Sequence, residues 1–118
     1  TTELGPDAQA GSLQLSAVLR VDDKRRTLEL LPVAGGFADG RVPRDQTLTL
    51  RLSHPSQAAL DRTVQLHPGE LGWRADAELP HDHDWLVQLA PADGRWRIRG
   101  RLVSGQQAAH LGPALASD

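Results

Sequence analysis

Apolar and polar residues alternate with a period of two along most of this chain, and that constrains its fold more than any other feature. Leu13, Leu15, Ala17, Leu19 and Val21 alternate with Gln14, Ser16, Val18 and Arg20. Successive side chains of an extended strand point to opposite faces, so such a run offers one face to a core and one to solvent. Arg26 to Val33 repeats the pattern with Leu28 and Leu30 inward, and Asp22, Asp23, Lys24 and Arg25 form a polar turn between the two runs. The pair reads as a hairpin. Further runs are Thr47–Leu52, Thr63–His67, Trp73–Ala77, Trp85–Leu89 and Arg95–Leu102, separated by Gly, Pro, Ser and Asp. Asp93-Gly94 supplies a hairpin turn. Ala34 to Asp45 reads as a long loop or a crossing between sheets, and Gln57–Leu60 as a single helical turn.

No stretch is long enough for the helix of a βαβ crossover. The expected fold is therefore all-β: an immunoglobulin-like antiparallel β-sandwich of about seven strands. Its parts are a flexible lead-in at 1–11, the sandwich at 12–103 and a tail at 104–118, with a short edge segment near Leu111. A chain of 118 residues is one domain by length.

Composition removes several functions. There is no cysteine, hence no disulfide, thiolate metal site or cysteine nucleophile. There is no methionine, hence no thioether copper(I) site. A net charge of −2 and only three Trp and one Phe argue against nucleic acid as a partner. No apolar run approaches the roughly 18 residues of a membrane span. No nucleophile elbow surrounds a serine, and Gly35-Gly36 lacks the Gly-Lys-Ser/Thr of a phosphate loop. The reading is of a non-enzyme with no cofactor and no small-molecule substrate.

Two places stand out against that background. His81-Asp82-His83-Asp84 is the densest ligand cluster, and in an extended segment His81 and His83 share a face. Imidazole and carboxylate suit zinc or copper(II); the plainer reading is a polar loop before the Trp85 strand. His54 and His67 read as loop ends flanking one strand, and His110 lies in the tail. Arg95, Arg97, Arg99 and Arg101 point one way along the last run, opposite Trp96, Ile98, Gly100 and Leu102. They form either a basic stripe for an anionic partner or a solvated strand face, with Glu29, Asp76 and Glu78 available to balance them. Trp73, Trp85 and Trp96 fall on the inward phase and read as core. A carbohydrate-binding sandwich would instead need them exposed.

Three stretches carry a family resemblance: Leu15-Ser-Ala-Val-Leu-Arg-Val-Asp-Asp23; Gln46-Thr-Leu-Thr-Leu-Arg-Leu-Ser-His-Pro-Ser56 followed by Asp61-Arg-Thr-Val-Gln-Leu66; and Gly94-Arg-Trp-Arg-Ile98. In this order and spacing they resemble the FixH family, also called CcoH, in which a strand ending in Pro-Ser/Thr precedes Asp-Arg-x-Val-x-Leu and a Gly-x-Trp strand closes the domain. Gly72-Trp73 stands where the family has Gly-x-Tyr. The resemblance implies an interaction domain on the periplasmic side of the bacterial inner membrane, anchored by one N-terminal helix. It also implies a role in assembling cbb3-type cytochrome c oxidase, alongside a copper-transporting ATPase and a ferredoxin-like membrane protein. The implied partners are membrane oxidase subunits or assembly factors. The anchoring helix would lie before Thr1, making this chain an excised soluble part. A copper-handling module using the His81/His83 loop is the second expectation. The family transfers no catalytic residue.

Overall fold

The computed structural model describes residues 11, 13–22, 24–40, 42–43, 45–70, 72–77, 79 and 83–113. Eight strands form: β1 (Ser16–Asp22), β2 (Thr27–Ala34), β3 (Leu48–Ser53), β4 (Arg62–Pro68), β5 (Trp73–Asp76), β6 (Trp85–Pro91), β7 (Ile98–Leu102) and β8 (Ala108–Leu111). All their pairings are antiparallel, in the order β7-β6-β3-β4-β5-β2-β1-β8. β4 belongs to both layers. Arg62 to Leu66 pair with β3, and His67 and Pro68 pair with β5. One layer thus reads β8-β1-β2-β5-β4 and the other β7-β6-β3-β4. These match the A-B-E-D and G-F-C-C′ orders of an immunoglobulin-type sandwich, with β8 added beside β1.

The expected all-β sandwich is the observed one, with eight strands rather than about seven. The additional strand is β8, which falls where a short edge segment near Leu111 was expected. It pairs with Ala17–Arg20 of β1. It also nearly closes the sheet, because Arg99 and Gly112 exchange amide–carbonyl hydrogen bonds of 2.8 and 2.9 Å. Gly100 makes this approach possible. A Cβ there would lie 2.3 Å from the His110 carbonyl oxygen and 2.5 Å from a Leu111 methyl carbon.

Strand boundaries moved for local reasons. β1 starts at Ser16 rather than Leu13 because Gln14 takes a positive φ of 54° and its amide turns back to the Gly11 carbonyl. The β1–β2 turn is held by Asp22, whose carboxylate accepts the Lys24 and Arg25 amides. β2 continues through Pro32 because β5 has already ended opposite Leu30, so the missing N–H interrupts no pairing there. A register shift on the β1 side leaves Val33 without a cross-strand partner and exposed.

Inward residues of both layers build one core, including Leu19, Leu28, Leu30, Leu50, Leu52 and Leu89, each fully buried. Trp73, Trp85 and Trp96 are buried as expected. That removes the carbohydrate-stacking reading. The stretch after β2 does cross between the layers, but it is more than a loop. A helical turn at Gly36–Asp39 carries Phe37 into the core, edge-on to Trp73 (5.6 Å) and Trp96 (5.3 Å). Ala58–Leu60 is the single helical turn expected before β4.

Gly100→Ala is expected to lower stability by about 2 kcal/mol, the ordinary cost of forcing a group into a packed site. Urea unfolding reads the midpoint, and hydrogen exchange should show faster opening at Arg99 and Gly112. An unchanged midpoint would mean that the β7–β8 approach contributes nothing to stability.

Candidate functional site

The polar chemistry gathers where β3, β6 and β7 end beside one another. Asp84 immediately precedes β6 and reaches across to the end of β7. Its Oδ2 accepts the Arg101 Nε–H at 2.9 Å, and its Oδ1 accepts the Ser104 amide at 2.8 Å. The Ser104 amide, then the Arg101 guanidinium and the neighbouring His83, hold the carboxyl below its ordinary value, with burial opposing. Asp84 therefore acts as a clasp closing the β6–β7 hairpin.

His83 lies beside this clasp. Its ring packs 4.4 Å from Trp85 and 4.2 Å from His54, which follows β3. Arg62 extends over the Trp85 ring at 5.9 Å. The two histidines have different proton arrangements. His54 Nδ1 accepts the Ser56 and Gln57 amides, both at 3.0 Å, so its proton sits on Nε2. His83 Nδ1 lies 2.8 Å from the Asp84 carbonyl, which can only accept, so His83 carries its proton on Nδ1. A metal-bound histidine usually donates its other N–H in this way. His83 thus has the ligand-type tautomer, and His54 is committed to its turn. His81 lies outside the described residues. Among the described residues, no group of three or more His, Cys, Asp or Glu is placed to hold a metal ion.

The four arginines do not form one strand row. β7 begins at Ile98, so Arg95 and Arg97 precede it. Arg95 pairs with Asp93 at 3.3 Å on the β6–β7 turn, and Arg97 is half-buried. Arg99 and Arg101 point outward from β7 across from Gln88 and Leu86 of β6. Glu29 and Asp76 do not balance them. Both lie in the other layer, where Glu29 faces Arg20 and Arg74 and Asp76 faces Thr27. Glu78 lies outside the described residues. His67 sits inside β4 rather than at a loop end, and His110 lies in β8 with Nε2 2.7 Å from Ser16 Oγ.

Sequence reading missed the clasp and the His54–His83 contact. The first was within reach. Counting back from the Asp93-Gly94 turn through the Trp85–Leu102 pair places Asp84 beside Arg101 and Ser104. The second depends on β3 pairing with β6, a contact between strands more than 30 residues apart that no local pattern encodes.

The molecule is thus an immunoglobulin-like sandwich whose interior is committed to packing and whose polar groups sit on strand ends and outer faces. The chain belongs to the FixH family, whose model matches residues 2–103. FixH is not a known enzyme family, and its known context is cytochrome oxidase assembly. No curated protein and no solved structure matches the chain. Among the described residues, no helix is long and apolar enough to cross a membrane.

Asp84→Asn is expected to destabilise the domain at neutral pH and to flatten its acid profile. A carboxyl whose folded pKa is depressed adds stability above its unfolded value and loses it as the pH falls through the folded one. The wild type should therefore lose this contribution as the pH drops below 3.8, the ordinary aspartate value, and the variant should show no such component. Thermal melts across the acid range check this. Superimposable pH profiles would remove the clasp.

Proposed function

We propose that the chain is a non-catalytic interaction domain of a membrane-anchored FixH-like protein, working on the periplasmic side of the bacterial inner membrane to support assembly of cbb3-type cytochrome c oxidase. Membership of the FixH family across residues 2–103 carries this reading. Two features support it. The inward residues of both layers are taken up by the core, which leaves outer faces and strand ends for recognition. The concentrated polar groups at the β6–β7 hairpin work on one another, with Asp84 bound to Arg101 and Ser104. The docking partners are membrane oxidase subunits or assembly factors.

Deletion of the protein in its own host tests this. Assembled cbb3-type oxidase, read by haem-stained native gels and oxygen uptake, should fall while oxidase transcripts stay unchanged. Full oxidase levels in the deletion strain would end the proposal.

A second reading keeps the histidine loop as a copper-handling module, on the strength of the ligand-type tautomer of His83. Titration of the full 118-residue chain with copper(I) and copper(II) separates the two. The interaction reading expects no binding tighter than micromolar background. Stoichiometric binding lost in both His81→Ala and His83→Ala would establish the copper reading in its place.

A further inference from the structure

The two layers differ sharply in charge. β3, β4, β6 and β7 contain Arg51, Arg62, Arg99 and Arg101 and not one Asp or Glu, and of these Arg101 is paired with Asp84, just before β6. The strands unique to the other layer carry Arg20 and Arg74 against Asp22, Glu29 and Asp76. The whole chain has a net charge of −2, so this basic layer runs against the overall balance. Strand register then arranges its outward residues. Arg51 of β3, Gln88 of β6 and Arg99 of β7 form one cross-strand row, and Ser53, Leu86 and Arg101 form the next. Arg51, Arg99, Arg101 and Leu86 are all exposed. A shallow groove of about 290 Å³ crosses the two rows, lined in part by Ser53, Leu86, Gln88 and Arg99.

We propose that this outer face, centred on Arg51, Gln88 and Arg99 with Leu86 beside them, docks an acidic surface of another protein. The inference rests on the interaction-domain reading and deepens it by naming the face and the chemistry of the partner. Guanidinium groups in a fixed fork suit carboxylates in paired hydrogen bonds. Gln88 provides a neutral donor and acceptor between Arg51 and Arg99, Ser53 lies in the next row, and exposed Leu86 gives a small apolar anchor, the mixture of a protein interface. An anionic lipid surface fits less well. Membrane-facing surfaces anchor through interfacial Trp or Tyr, and here Trp73, Trp85, Trp96 and Phe37 are all buried in the core while Tyr is absent.

The size of the face sets the kind of complex. Four strands about 4.8 Å apart, each about six residues long, present roughly 400 Å². A stable interface buries about 800 Å² on each partner. Docking on this face alone is therefore transient and salt-sensitive.

The test is an NMR titration of the isotope-labelled 118-residue chain with deca-glutamate, in parallel with phosphatidylcholine vesicles containing phosphatidylglycerol. Amide shifts are expected in β3, β6 and β7, and Arg51→Glu with Arg99→Glu should weaken binding by at least about tenfold, the loss of two charge contacts. Arg74→Glu, in the other layer, should leave it unchanged. Shifts spread over both layers, an unaffected double variant, or equal binding to the anionic vesicles through the same arginines would overturn the proposal. Co-purification with detergent-solubilised cbb3-type oxidase separates this from the function itself. If the oxidase binds the wild type and the double variant alike, the face is wrong and the interaction reading stands. If deca-glutamate maps to the face but the oxidase does not bind, the oxidase partnership falls and the face stands.

Discussion

The sandwich depends on one strand that serves two layers. β4 pairs with β3 through five residues and then with β5 through two, so the layers are joined by continuous backbone as well as by packing. That passage fixes how the inward faces meet. Phe37, delivered by the crossing segment after β2, then packs edge-on between Trp73 of one layer and Trp96, two residues before β7, in the other. At the far end of β6, Trp85 is covered by His83, His54 and Arg62. The Phe37 group links the two layers, and the Trp85 group ties β3, β4 and β6 of one layer together at the start of the seven-residue β6.

Much of this architecture is legible in the sequence because period-two alternation is a local property. Leu15, Ala17 and Leu19 declare their face without reference to any other strand, and so do Trp85, Val87 and Leu89. The hairpins are legible for a similar reason, since Asp22 and Asp93-Gly94 name their turns. What was hidden depends on pairing between distant segments. Phe37 lies among glycines in a stretch with no periodicity, so nothing nearby marks it as core. Ala108 to Leu111 reads from sequence only as a short edge segment near Leu111, and its partner, the free edge of β1, is what the sequence does not name. Arg51 belongs with Arg99 only through the β3–β6 and β6–β7 registers.

The candidate sites divide along the same line. The arginine alternation placed Arg99 and Arg101 on an outward face, but pairing converts that stripe into a two-dimensional patch. Arg95 drops out of it into an ion pair with Asp93, Arg101 is engaged by Asp84, and Arg51 joins Arg99 across Gln88. The histidine loop changes character too. Asp84, read as one ligand among four, spends both carboxylate oxygens on Arg101 and Ser104. His83 gains His54 as a neighbour, yet His54 is bound to its own turn through Nδ1. The interior therefore specifies the fold, the clasp shapes the hairpin, and the proposed recognition surface is the outer face of the β7-β6-β3-β4 layer.

Hydrogen–deuterium exchange of the full-length protein, with and without purified cbb3-type oxidase, addresses that claim most directly. The account expects slowed exchange in peptides covering β3 and the β6–β7 hairpin, with β1 and β2 unchanged. Protection confined to β1 and β2 would place the docking surface on the opposite layer and contradict it.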